Sequence, residues 1–145
     1  MTLSEAISAF GTLLKIGDGG GSENFTTIAE VTNISGPGFA LETTEVTNHS
    51  STGGWREYIA TLLDAGEVSF DINFIPTEAT HSYSSGLIKD MVNKTKRNFK
   101  LVFPNAGNTT WTFSAFVTSF EPAAATDAQL SASVTLKITG QPTLS

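Results

Sequence analysis

Cysteine is absent from all 145 residues, which rules out a disulfide framework and thiolate metal ligands. Cations are scarce too: eight Lys and Arg stand against fourteen Asp and Glu, a formal net charge of -6. Gripping a phosphate backbone takes clustered Lys and Arg that displace counterions, so this balance argues against direct nucleic-acid binding. No apolar run is long enough to cross a bilayer as a helix. The opening MTLSEAISAFGTLLKIG has no basic region ahead of an apolar one and carries Glu5 early, so the chain reads as cytosolic in origin, with no membrane partner. There are two histidines, His49 and His81; without HxxH, HExxH or a carboxylate at ligand spacing they read as polar surface residues, not metal ligands.

Catalytic signatures are missing as well. Ser and Thr are frequent, yet none sits in a G-x-S-x-G elbow. GDGGGSE, residues 17–23, places glycines where a calcium loop needs oxygens and lacks the Gly-Lys-Ser/Thr ending of a phosphate loop, so it reads as a turn. Five N-x-S/T sequons, beginning at Asn24, Asn33, Asn48, Asn93 and Asn108, have no secretory signal beside them and read as accidents of an Asn-, Ser- and Thr-rich chain. No catalytic residue, metal or cofactor is predicted. The chain is not expected to be an enzyme, and its length suits one domain.

What is abundant is period-two alternation. EVSFDINFI puts Val68, Phe70, Ile72 and Phe74 on one face and Glu67, Ser69, Asp71 and Asn73 on the other, the pattern of a strand with one buried and one wet side. NFKLVFP repeats it with Phe99, Leu101 and Phe103 inward, until Pro104 ends the ladder. QLSASVTLKITG does so with Leu130, Ala132, Val134, Leu136 and Ile138. In TWTFSAFVTSFEP, Trp111 and Phe113 hold one parity and Phe116 and Phe120 the other, which predicts a β-bulge near Ala115 or a strand covered on both faces. Further strands are expected at 12–17 and across FTTIAEVTNIS and GFALETTEV, with Gly36-Pro37-Gly38 as the turn between.

One helix interrupts the series. HSYSSGLIKDMVNKT carries Tyr83, Leu87, Ile88, Met91 and Val92 at helical spacing, Thr80 or Ser82 as a cap, and Lys94, Lys96 and Arg97 at the negative end. Residues 47–66 read as a long polar loop that then bunches Trp55, Tyr58, Ile59, Leu62 and Leu63. Large apolar residues on such a segment are usually covered by a partner; the alternative is a short helix folded onto the chain's own core. The expected fold is mainly β, an antiparallel β-sandwich or barrel of roughly seven strands with one packed α-helix and a long inter-strand loop.

The run IAEVTNISGPGFALETTEVTNHSSTGGWREYIATLLDAGEVSFDINFIP, residues 28–76, resembles the hallmark segment of the lambda-like siphophage major tail tube proteins. Its Gly36-Pro37 turn, Thr-rich strand, Trp55-Arg56-Glu57-Tyr58-Ile59 patch, DAGEVSF entry and Phe74-Ile75-Pro76 exit come in that family's order. HSYSSGLIKDM and the C-terminal FEPAAATDAQLSASVTLKITGQPT resemble its helix and last strands, so the likeness spans most of the chain. The chain ends at Ser145 without the immunoglobulin-like domain of lambda's own protein, and one tail tube domain is expected.

The resemblance implies a structural virion protein that self-assembles into stacked rings, typically hexameric. Their joined sheets form a barrel that conducts DNA without specific binding. It implies a place in the virion tail, assembly in the host cytoplasm, and tape measure, distal tail and tail terminator proteins as partners. The loop would make the ring-to-ring contact through Asn48, Ser50, Gly53, Gly54, Trp55, Arg56, Tyr58 and Ile59. Glu42, Glu45, Glu67 and Asp71, on the wet parity of their strands, are the candidate lumen residues. The alternatives are a free-standing β-sandwich binding module, of adhesin or carbohydrate type, and a secretion-system tube protein.

Overall fold

The computed structural model describes residues 3–145. The strands are β1 (Leu13–Gly17), β2 (Phe25–Thr27), β3 (Val31–Ser35), β4 (Ala40–Glu45), β5 (Tyr58–Asp64), β6 (Glu67–Asn73), β7 (Arg97–Val102), β8 (Thr110–Ala123) and β9 (Ser131–Leu144). A single α-helix, α1 (Leu87–Val92), lies between β6 and β7. Seven strands form one antiparallel sheet in the order β2-β1-β7-β8-β9-β6-β3, and β4 pairs with β5 apart from it.

Chain connectivity forces that sheet to curl. A flat seven-stranded sheet would hold its edges roughly 29 Å apart. Yet the edge strands β2 and β3 are joined by residues 28–30 alone, a reach of about 14 Å at most. The long strands β8 and β9 therefore pass from one layer to the other. Residues 110–115 of β8 pair with β7, and β7 ends there; β9 pairs with β6 only as far as Lys137. One layer holds β3, β6, the first half of β9 and the second half of β8. The other holds β2, β1, β7, the first half of β8 and the second half of β9.

The core lies between the layers. Val68, Phe70 and Ile72 of β6, Phe99 and Leu101 of β7, Phe113, Ala115 and Val117 of β8, and Ala132, Val134, Leu136 and Ile138 of β9 form one buried cluster. These are the parities the alternation predicts. Phe99 stacks on Phe113 at 5.9 Å between centroids. Leu130 falls outside the core and is exposed, and Phe74 and Phe103 are half-buried.

Several expectations are corrected. The parity change in β8 comes after Val117, not near Ala115: Val117 faces Leu136 and Ser119 faces Thr135, so Thr118 is the inserted residue that turns Phe120 inward. Phe120 then meets Phe74 edge-on at 5.1 Å. The strand expected through FTTIAEVTNIS breaks at residues 28–30, where Glu30 takes a positive φ of 60°.

The helix is six residues long, and neither Thr80 nor Ser82 caps it; Gly86 takes that position without a side-chain bond. Thr80 instead accepts the Ala29 N–H, and Ser82 bonds within the Ser82–Ser85 cluster. Short hydroxyl side chains that bond their own backbone compete with helix formation, which explains the lost first turns. His81 is fully buried rather than superficial. Its Nε2–H donates to the Ala29 carbonyl at 2.7 Å, and its Nδ1 accepts the Ile75 N–H at 3.3 Å.

Candidate functional site

The segment expected to be one long loop is a projecting β-hairpin. Tyr58 to Asp64 are strand, so the loop shrinks to residues 46–57, with a single 3-10 turn at Thr52–Gly54. The helical alternative for Trp55 to Leu63 is thereby overturned. Asn48 and Ser51 build the tip. Asn48 Oδ1 accepts the Ser50 N–H at 2.8 Å, Ser51 Oγ accepts the Asn48 N–H at 3.1 Å, and Ser51 Oγ donates to the Glu57 carboxylate. Gly53 and Gly54 both take positive φ there.

Every residue of β4 and β5 is exposed. Trp55 is 78%, Leu62 71% and Leu63 81% exposed, and Tyr58 and Ile59 are more than half exposed. A lone two-stranded hairpin with no buried face is marginal in water. The arm therefore displays apolar surface that none of the described residues covers.

A glycine elbow aims the arm. β4 and β5 continue the β3–β6 ladder beyond residues 36–39 on one side and 65–66 on the other. Gly36 (φ 101°) lies against the Glu67 carbonyl and Gly66 (φ 74°) against that of Gly38, both too closely for a Cβ.

The outer face of the layer holding β3, β6, β9 and β8 is a second surface. Register places Ser35, Ser69, Thr135 and Ser119 in one row, and Asn33, Asp71, Ser133 and Glu121 in the next. Ser133 Oγ donates to Asp71 Oδ1 at 2.9 Å. A third row runs Glu67, Lys137, Phe116. Short hydroxyl, amide and carboxylate groups dominate this face.

Of the four candidate lumen residues, the structure brings together two. Glu67 and Asp71 share the polar face, whereas Glu42 and Glu45 lie on the arm. Those two point to opposite sides of β4, since Glu45 stands opposite Tyr58 and Glu42 lies an odd three positions before it. Glu121 joins Asp71 through the row of Ser133, and sequence reasoning missed it because the inserted Thr118 hides the parity of its strand. Arg56 Nε sits 3.7 Å from Glu45 Oε2 at an exposed position, a contact worth little.

The sheet has two borders in this layer without a strand partner among the described residues. β3 is the last strand, and beyond Ala115 β8 has no β7 partner, although α1 packs against β8. Pro122, which lacks an N–H, lies in that unpaired stretch, where an edge strand tolerates it. Among the described residues no backbone hydrogen bond from α1 reaches it. Open edges are a hazard unless another chain pairs with them.

An uncovered arm and two borders lacking a strand partner describe a subunit, and the comparisons with known proteins agree. Residues 16–145 match the family model described as lambda phage tail tube protein, TTP. The chain belongs to the lambda phage tail tube protein family. It is a structural tail tube protein, and its family's members are not enzymes.

Solved structures share the tail tube fold. A chain in the tail of an empty gene transfer agent particle, computed with helical refinement in C6 symmetry, aligns at TM-score 0.75 and 23% identity over 97% of this chain and 99% of that one. The tube or sheath terminator assembly of the extracellular contractile injection system PVC gives 0.71 at 14% identity, covering 99% of both chains. The SPP1 tail tube gives 0.60 at 14% identity, covering 89% of this chain and 73% of that one. No curated protein matches the chain by sequence. Nothing in these comparisons supports a free-standing binding module.

Proposed function

We propose that copies of this chain close into a ring by pairing the β3 border of one with the unpaired half of β8 in the next, and that rings stack through the arm into the DNA-conducting tube of a virion tail. Edge pairing turns the exposed backbone groups of both borders into ladder bonds. The four strands of that layer then continue from copy to copy around a channel, with the row of Asp71 and Glu121 and the neighbouring Glu67 facing inward. A carboxylate lining repels phosphate, so DNA moves without sticking.

The arm residues Asn48, Ser50, Gly53, Gly54, Trp55, Arg56, Tyr58 and Ile59 make the ring-to-ring contact. That contact is heterologous and propagates until capped, which assigns tape measure, distal tail and tail terminator proteins to the interior and ends of the tube, and assembly to the host cytoplasm. The chain serves as one tail tube domain.

The observation that carries this reading is the complete exposure of the arm. Deleting residues 48–54 is expected to leave thermal unfolding of the monomer within a few degrees of the parent while abolishing polymerisation seen by negative-stain microscopy. Unimpaired tube growth by the deletion would remove the arm from stacking.

A further inference from the structure

The segment through α1 packs against β8 and turns another side to solvent. Tyr83 and Val92 stand exposed there, 68% and 50%, and with Lys89 they line a shallow cavity of about 210 Å³. Its charge is one-sided. Four of the chain's eight cations lie within residues 89–97. Arg97 is committed to Asp90 at 3.1 Å, whereas Lys89, Lys94 and Lys96 are exposed and, among the described residues, in no ion pair.

The arm has the opposite sign. Glu42, Glu45 and Glu57 are exposed on it, with Arg56 the single cation of residues 40–64. Within one copy no hydrogen bond, ion pair or ring contact among the described residues joins arm and α1 segment. The arm leaves β6 at Glu67, and the chain leading to α1 leaves at Asn73, about 20 Å along the strand.

We propose that the arm of one copy docks on the α1 segment of a copy in the next ring, Trp55 and Tyr58 against Tyr83 and Val92, with Glu45, on Tyr58's side of the arm, facing Lys89, Lys94 and Lys96. This rests on the reading that the arm stacks rings. A second copy is the occupant because the two surfaces match in charge and in apolar content. The pairing is also heterologous, as a growing tube requires. The charges are exposed, so they steer docking and are screened by salt.

Carbodiimide, which joins a carboxylate to a lysine amine in direct contact, tests it on wild-type tubes by mass spectrometry. Links from the peptide of Glu45 to those of Lys89, Lys94 or Lys96 are expected in tubes and absent in monomer. Tubes whose arm carboxylates link only to Lys15, Lys100 or Lys137 would overturn the docking site and leave stacking by the arm intact.

Charge reversal gives a second readout. Glu45→Lys, or Lys89→Glu with Lys94→Glu, should each raise the concentration needed for tubes at least tenfold, and the three together should recover most of that loss. A threefold variant no better than its parents contradicts the proposal. Wild-type protein that never forms tubes contradicts the stacking reading itself.

Discussion

Asp90 and Arg97 give the chain its clearest pH response at the level of single residues. Burial of Asp90 raises its carboxyl above the ordinary 3.8, and the Arg97 guanidinium, 3.1 Å away, pulls it partly back. The protonated carboxyl is thus the form the fold prefers. Its contribution to stability is complete below pH 3.8 and is lost as pH rises through the elevated value. Arg97→Met leaves the carboxylate buried without its cation. We expect about 2 to 3 kcal/mol of destabilisation at pH 7, shrinking in acid below pH 4, in urea titrations at both pH values. A loss that is the same at both would show that the guanidinium acts by packing alone.

Phe70 presents the simpler case. It is 2% exposed at the centre of the sandwich, and Phe70→Ala should cost about 3 to 5 kcal/mol by the same titration. That position was legible in the sequence, because alternation fixes a strand's buried parity without reference to any partner. His81 was not legible. Its two hydrogen bonds reach Ala29 and Ile75, 52 and 6 residues away, and no local pattern announces a histidine held by distant backbone.

Among elements, β6, β7 and β9 follow their alternation closely, whereas α1 and the arm depart from theirs. The helical stripe beginning at Tyr83 loses its first turns to serine hydroxyls that satisfy the local backbone. The arm hides its strand because β5, YIATLLD, has no alternation to read: with both faces exposed, no single parity is selected.

Leu63 is fully outside the core, so Leu63→Ser should change monomer stability by less than about 0.5 kcal/mol and still impair tube formation. Gly66 behaves oppositely. Its φ of 74° and the Gly38 carbonyl beside it leave no room for a methyl group, so Gly66→Ala should cost about 2 kcal/mol or more from the left-handed backbone and the collision. It should also misdirect the arm, seen as lost polymerisation with circular dichroism still dominated by β structure. Normal tubes from Gly66→Ala would show that the elbow does not set the arm's direction.

For the molecule as a whole, net charge and the missing catalytic motifs narrowed function to structural or binding roles, and the order of motifs from Gly36 to Pro76 pointed to the tail tube family. Which carboxylates could face a channel was only partly legible. Glu67 and Asp71 share a face, Glu42 and Glu45 do not, and Glu121 joins the set once the inserted Thr118 is known. Parity assigns sides within a strand; only register across strands assigns a common surface.

The central claim is that this layer of the sandwich is completed, border to border, by further copies around a channel. Cryo-electron microscopy of tubes grown from the purified chain tests it most directly. The account predicts a hollow tube in which β3 of each copy is hydrogen-bonded to residues 116–123 of its neighbour, with Asp71 and Glu121 lining the bore. Tubes with Asp71 and Glu121 on the outside, or with β3 unpaired, would contradict it.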